Sequence, residues 1–132
     1  MKTKDIHQTE MFNADPEKVY DCIMNAEHHS EFTGDDATIQ DKQGAEFTAF
    51  SGYVQGKNMQ LEKGKKIVQQ WRAEEDGLPE DHFSEVTFLF EKVKDGTKME
   101  FYQKGIPERH AKDIEKGWKD FYWEPLKEYL EG

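Results

Sequence analysis

The sequence predicts an α+β domain in which an antiparallel sheet curls around one long C-terminal helix. In residues 108–130, apolar side chains recur three and four positions apart, which is the spacing that gathers them on one helical face. Residues 36–104 instead show strand-length segments separated by turn signals, a pattern typical of an antiparallel meander. A sheet and a helix with these patterns can bury their apolar faces only against each other.

The start of the chain predicts one strand followed by two short helices. Residues 6–12 are expected to form the strand. A helix over residues 16–24 should follow, because Asp15 can cap it and a proline occupies its first position. A second helix is expected over residues 25–32, capped by the asparagine at its start and ended by Gly34 in a left-handed conformation.

The middle of the chain predicts the meander. Its expected strands are residues 37–40, 45–50, 53–62, 66–72 and 84–91, and a last strand that contains Met99 and Phe101. Asp95-Gly96 is a strong hairpin signal before that last strand. Residues 73–83 are expected to form an acidic loop at the rim of the sheet.

The buried face of the terminal helix is predicted from its apolar residues, which are Ala111, Ile114, Trp118, Phe121, Tyr122, Pro125 and Tyr129. Gly117 lies on the same face, where a helical glycine costs about 1 kcal/mol relative to alanine. We therefore expect another backbone to approach closely there, and a leucine at this position to unfold the protein. Pro125 is expected to kink the helix near Glu124.

Trp123 falls on the opposite, charged face of an ideal helix. An exposed tryptophan there is a candidate protein contact, since tryptophan is enriched at interface hot spots. The alternative is that its ring folds back over neighbouring lysine side chains or packs beneath the short helices.

Length and charge restrict the class of protein. A chain of 132 residues is expected to form a single domain, residues 1–132, with one core. Its 18 basic and 28 acidic residues give a net charge of −10, which disfavours binding to nucleic acid or to an anionic membrane. One cysteine and no membrane-spanning apolar run predict a cytoplasmic protein.

No residue pattern predicts catalysis or a metal site. Cys22 is expected to be a small buried hydrophobe rather than a nucleophile, and no serine lies in a Gly-x-Ser-x-Gly turn. His28, His29, Asp35 and Asp36 include metal-ligand types, but adjacent helical histidines point about 100° apart and would not readily share an ion. The acidic cluster of the rim loop lacks the spacing of a calcium loop, so a solvated loop is expected; its members are Glu74, Glu75, Asp76, Glu80, Asp81 and His82.

Large aromatic residues offer a candidate binding site. On the predicted sheet and helix these are Phe47, Tyr53, Trp71, Phe88, Phe101, Trp118, Phe121 and Tyr122, and the large apolar residue Met59 is grouped with them. These residues either fill the core completely or leave a cavity for a small hydrophobic ligand, because large rings pack irregularly.

The chain resembles the C-terminal-domain family of the activator of heat shock protein 90 ATPase, a branch of the START-like (SRPBCC) helix-grip superfamily. The residues that carry the resemblance are 14–20 (ADPEKVY), 31–34 (EFTG), Gly52-Tyr53 with Gly56, 65–72 (KKIVQQWR), 105–107 (GIP), Gly117-Trp118, Tyr122-Trp123 and 125–127 (PLK). The resemblance implies a helix-grip fold and no metal or organic cofactor.

Two functions are compatible with these observations. The first is a non-catalytic protein that binds a small hydrophobic ligand between the sheet and the terminal helix. The alternative, implied by the resemblance, is an interaction module that regulates a heat shock protein 90 ATPase. The eukaryotic co-chaperone of the family also has a separate N-terminal domain for chaperone contact, which favours the first hypothesis for a chain of this length.

Overall fold

The computed structural model describes residues 2–74 and 82–131 and has the predicted α+β architecture. Its helices are α1 (Pro16–Met24), α2 (Ala26–Thr33), α3 (Glu108–Trp118) and α4 (Glu124–Glu131), with a π-helical turn (Lys119–Trp123) between the last two. Its strands are β1 (Thr3–Phe12), β2 (Glu46–Ala49), β3 (Val54–Glu62), β4 (Lys66–Ala73), β5 (Ser84–Val93) and β6 (Gly96–Pro107). They form one antiparallel sheet in the order β1-β6-β5-β4-β3-β2.

Helices α1 and α2 begin and end close to the predicted positions. The side chain of Asn25 accepts a hydrogen bond of 3.1 Å from the backbone N–H of His28, as the cap prediction requires. Gly34 ends α2 in the left-handed conformation, with φ of 79°. Asp15 is the N-cap residue of α1 as predicted, but its side chain makes no capping hydrogen bond, and its carboxylate contacts Lys92 Nζ at 2.5 Å instead.

The sheet differs from the prediction at its β2 edge. Instead of a strand, residues 37–40 contribute one isolated bridge between Thr38 and Thr48. The next strand ends at Ala49 because Phe50 and Ser51 both have positive φ, which stops regular pairing. The predicted hairpin at Asp95 is confirmed, since β5 and β6 pair up to the turn. Most of the predicted acidic loop, residues 75–81, lies outside the described residues.

The core is divided into two clusters. The larger lies between the helices and strands β1, β6 and β5, and the smaller consists of Phe47, Ala49, Val54 and Ala73 on strands β2 to β4. Six strands about 4.8 Å apart span roughly 24 Å, whereas one helix is about 10–12 Å across. Since α3 contacts β1 and β6, the helix leaves the β2 side of the sheet only partly covered.

The terminal helix changes its hydrogen bonding just before Pro125. The backbone N–H of Glu124 bonds to the carbonyl of Lys119, five residues back, which is the π-helical pattern. Proline has no N–H to offer the carbonyl four residues earlier, so α-helical bonding could not have continued through this position. The irregularity predicted near Glu124 is therefore a π turn.

The π turn changes which aromatic residues are buried. Residues five apart come to lie on the same side, and the rings of Trp118 and Trp123 stack at 5.2 Å between centroids. Trp123 is 0% exposed and its Nε1 donates to Gln8 Oε1 at 2.6 Å, so the prediction of an exposed Trp123 as a protein contact is wrong. Phe121, predicted on the buried face, is 65% exposed.

None of the helices within residues 2–74 and 82–131 has both the length and the apolar character needed to cross a lipid bilayer.

The buried position of Trp123 can be tested against its exposed neighbour. Replacing Trp123 by alanine should lower the free energy of unfolding by about 3–5 kcal/mol, because a filled core position becomes a cavity. The control Phe121→Ala should change it by no more than about 0.5 kcal/mol, as is usual for surface positions. Urea denaturation followed by circular dichroism measures both; equal losses would contradict the π-turn arrangement.

Candidate functional site: a cavity between the sheet and the C-terminal helix

A cavity of about 490 Å³ lies where the terminal helix leaves the sheet uncovered. Strands β2 to β4 and the turn at Phe50 form one wall, and α3 with the π turn forms the other. Side chains of α1 and α2 contribute the remaining wall. The cavity thus separates the two core clusters, and Trp71 and Ile39 pack against both.

Most of the predicted aromatic residues line this cavity. Its walls include Phe47, Trp71, Phe88, Trp118 and Tyr122. Tyr53 and Phe121 also line it, but their side chains are 45% and 65% exposed and therefore lie at its mouth. The structure thus brings together residues of the sheet and of the helix, as a binding site between them requires.

Met59 and Phe101 are not among the lining residues, and their predicted position in the cavity is wrong. Met59 is 44% exposed, because Val54, Gly56 and Asn58 are the residues of β3 that face inward and the register shifts after Asn58. Phe101 is fully buried against Trp118 at 4.5 Å between ring centroids, and so belongs to the larger core cluster.

His29 is a buried polar residue in the cavity wall. It is 2% exposed, and its Nε2 lies 2.8 Å from the hydroxyl of Tyr122. Burial lowers the pKa of His29 to about 4, so its ring is neutral near pH 7. Burial also raises the pKa of Tyr122 well above its usual value, so this hydroxyl keeps its proton.

The second nitrogen of His29, Nδ1, has no hydrogen-bond partner among the described residues. If the Tyr122 hydroxyl donates a hydrogen bond to Nε2 of His29, the ring proton of His29 lies on Nδ1. In that case the Nδ1–H group is the one polar group of the two side chains without a hydrogen bond among the described residues. The opposite tautomer would leave both the tyrosine hydrogen and the Nδ1 lone pair unbonded. The first arrangement is therefore favoured, and it leaves the Nδ1–H group of His29 buried without a partner among the described residues.

Gln69 supplies a free acceptor in the same wall. Its side chain is buried, and Nε2 donates to Asn58 Oδ1 at 2.9 Å. Oε1 of Gln69 accepts no hydrogen bond from residues 2–74 or 82–131. Gln69 thus gives a mainly apolar cavity one acceptor that can orient a bound molecule.

Gly117 has a different role from the one its sequence position predicted. A Cβ atom built there would meet no backbone, and its nearest neighbour would be Phe121 Cδ2 at 3.9 Å, an ordinary contact. The expected close backbone approach is thus wrong at Gly117. Because Gly117 lines the cavity, the missing side chain instead leaves the cavity open.

Sequence reasoning missed His29, Gln69 and Gly117 as lining residues. The sequence presents His29 mainly as a metal-ligand type, although a histidine followed three residues later by Phe32 on a short helix is compatible with a buried face. Gln69 lies two residues from both Ile67 and Trp71 along β4, so the three side chains share one face of the strand. This spacing is a sequence signal for the inward position of Gln69.

The other candidate reactive groups make structural contacts. Cys22 is fully buried and burial raises the pKa of its thiol, which disfavours the nucleophilic thiolate. The adjacent histidines diverge, since His28 Nδ1 bonds to the Tyr129 hydroxyl at 2.6 Å while His29 contacts Tyr122. Within the described part of the chain, no group of three or more His, Cys, Asp or Glu residues is placed to hold a metal ion.

A sheet that curls around a C-terminal helix with a cavity between them defines a helix-grip protein of the START-like class. The chain belongs to the family described as Activator of Hsp90 ATPase homolog 1-like protein, whose model matches residues 13–131. This is a family of chaperone ATPase activator homologues and not a classical enzyme family.

Curated relatives support the assignment. The chain is 36% identical over 118 residues to the activator of 90 kDa heat shock protein ATPase homolog of Dictyostelium discoideum, covering 89% of this chain and 30% of that protein. It is 30% identical over 119 residues to human homolog 1, covering 90% of this chain and 35% of that protein. The chain thus spans about a third of the length of these relatives.

Solved structures show the same fold. An HSP90 activator from Plasmodium falciparum matches with a TM-score of 0.87 and 24% identity, covering 96% of each chain. The solution structure of the Aha1 dimer from Colwellia psychrerythraea matches with a TM-score of 0.82 and 22% identity, covering 97% of this chain and 96% of that chain.

The buried, neutral His29 predicts a pH dependence of stability. Between its usual pKa of 6.5 and its folded pKa of about 4, the unfolded chain binds a proton at this position and the folded chain does not. The free energy of unfolding should therefore fall as pH falls through this window, with His29 contributing up to about 1.4 kcal/mol per pH unit.

Urea denaturation of the wild type and of His29→Gln at pH 6.5, 5.5 and 4.5 isolates this contribution, because both proteins share all other titrating groups. The difference between their unfolding free energies should change steadily across the series. Parallel curves for the two proteins would contradict the buried neutral state of His29.

Proposed function

We propose that this protein binds a small hydrophobic ligand, without catalysis, in the cavity between the sheet and the C-terminal helix. The observation that carries the proposal is the cavity of about 490 Å³, which falls in the range of about 300–1,000 Å³ that is typical of small-molecule sites. It is bounded by both core clusters and so belongs to the architecture of the fold.

The chemistry of the wall supports an apolar ligand. Rings and aliphatic side chains form most of the lining, while buried polar atoms are few. Transfer of apolar surface from water into such a site contributes about 25 cal/mol per Å². The exposed rings of Tyr53 and Phe121 at the mouth would gain burial when a ligand is present.

A non-catalytic role agrees with the state of the reactive groups. The thiol of Cys22 is buried and protonated. Among the described residues, no nucleophile donates a hydrogen bond to the His29–Tyr122 pair, as a catalytic chain would require. These residues contribute hydrogen bonding and packing to a binding site.

Filling the cavity at Gly117 tests this proposal. N-phenyl-1-naphthylamine, a neutral dye whose fluorescence rises in apolar surroundings, should bind the wild type saturably. Gly117→Leu should stay folded, because a side chain there meets open space, but should weaken dye binding at least about tenfold by occupying the cavity.

The matched control is Lys116→Leu, which introduces leucine at the neighbouring exposed position of α3. This variant should bind the dye as the wild type does. Unchanged binding by a folded Gly117→Leu protein would refute the cavity as the binding site, and an unfolded variant would refute the open space at Gly117.

A second candidate function is regulation of a heat shock protein 90 ATPase. The observation that favours it is the identity of 36% with an activator homolog from Dictyostelium discoideum over most of this chain. Since this chain spans about a third of that relative, the shared segment is one part of a longer activator homolog, and the activity of the whole relative is here a proposal for this chain.

This second function predicts that the purified chain raises the rate of ATP hydrolysis by a purified Hsp90-type chaperone in a saturable manner. The Gly117→Leu variant separates the two functions, since it should stimulate as well as the wild type if the chaperone contact does not use the cavity. No effect of the wild-type chain at concentrations far above that of the chaperone would exclude this function.

A further inference from the structure

Charged residues at the cavity are all acidic. Asp35 follows α2, Asp113 lies on α3 and Asp120 lies on the π turn, so three separate parts of the chain place carboxylates at one cavity. Among the described residues that line the cavity, none is a lysine or an arginine. His29 is neutral near pH 7 because burial lowers its pKa to about 4.

The protein itself neutralises little of this negative charge. Asp120 lies 3.9 Å from Nζ of Lys116, but that lysine side chain is largely exposed, so the pair is weak. Asp35 and Asp113 form no ion pair within residues 2–74 and 82–131. A cavity with uncompensated carboxylates attracts cations and repels anions, and the net charge of −10 acts in the same direction.

The walls provide two further features that suit a cation. Aromatic rings line the cavity, Trp71 among them, and the face of such a ring attracts cations through its quadrupole, with tryptophan the strongest. The free Oε1 of the buried Gln69 is an acceptor, and an N–H group of a ligand can donate to it. This unpaired acceptor is independent of the acidic residues and also favours a donor ligand.

From these observations we propose that the cavity selects a hydrophobic cation, a molecule with an apolar, preferably aromatic, body and an ammonium group. The apolar body lies against the rings, and the ammonium group lies towards Asp35 and Asp113. This inference rests on the proposed ligand-binding function and names the ligand class of that cavity. It excludes fatty acids and other hydrophobic anions as preferred ligands.

The test compares three compounds that share one ring system and differ in a single group. They are 1-naphthylmethylammonium, 1-naphthylmethanol and 1-naphthylacetate, and isothermal titration calorimetry gives their dissociation constants. The ammonium compound should bind about five- to tenfold more tightly than the alcohol, and the carboxylate should bind most weakly. The advantage of the ammonium compound should shrink in high salt, which screens exposed charges.

A pair of double variants assigns the preference to the mouth of the cavity. Asp35→Asn with Asp113→Asn should remove most of the advantage of the ammonium compound and leave the affinity for the alcohol unchanged. The control, Glu115→Gln with Glu128→Gln, makes the same change in net charge at exposed positions that do not line the cavity, and should keep the preference.

Each other outcome overturns the inference in a recognisable way. Equal affinities for the three compounds, or tightest binding of the carboxylate, would refute the cation preference while leaving the proposed function in place. Equal loss of preference in both double variants would assign it to overall charge and refute the role of Asp35 and Asp113. Failure of all three compounds to bind a protein that binds the dye would refute this inference alone, whereas failure of the dye as well would refute the proposed function too.

Discussion

The stacked pair of Trp118 and Trp123 sets the position of the terminal helix on the sheet. Trp118 Nε1 donates to Gln103 Oε1 at 2.7 Å on β6, and Trp123 Nε1 donates to Gln8 Oε1 at 2.6 Å on β1. Both rings also pack on Phe101. These contacts place the helix over the β1 side of the sheet. Since one helix is narrower than six strands, the β2 side is left to form the cavity wall.

The same dry environment explains both the chemistry of His29 and the affinity expected for an apolar ligand. Charging the ring of His29 would place an ion away from water, so the neutral form is favoured and the pKa falls. The carboxylates at the cavity come instead from Asp113 on α3, Asp120 on the π turn and Asp35 after α2, where water can reach them. In the proposed site, charge selection and apolar burial thus depend on different residues.

Family membership and ligand chemistry depend on different residues. The fold recurs at 24% identity in the Plasmodium falciparum structure, so many sequences satisfy the packing of this sheet and helix. What such a fold binds depends on the particular side chains that line its cavity. In this chain the lining combines large rings, the free acceptor of Gln69 on β4 and acidic residues.

Local signals in the sequence were sufficient for most of the fold. The Asn25 cap, Gly34, the Asp95-Gly96 hairpin and the alternation along β5 depend on neighbouring residues, and the structure confirms them. Much of the candidate site was also predictable, because Trp71, Phe88 and Trp118 are rings on inward faces. The sequence predicted the type and order of the helices and strands, apart from the β2 edge and the π turn in the terminal helix.

Only the tertiary structure decided which side chains of the terminal helix are buried and whether a cavity lies beside it. A helical wheel assumes 100° per residue, and the π turn breaks that assumption, so Trp123 became core and Phe121 became exposed. Gly117 leaves the cavity open because a Cβ atom there would meet no atom closer than Phe121 Cδ2 at 3.9 Å, which no sequence pattern records. Position on a helix face depends on local geometry, but what lies opposite that face depends on contacts between residues about a hundred positions apart, such as Gln8 and Trp123.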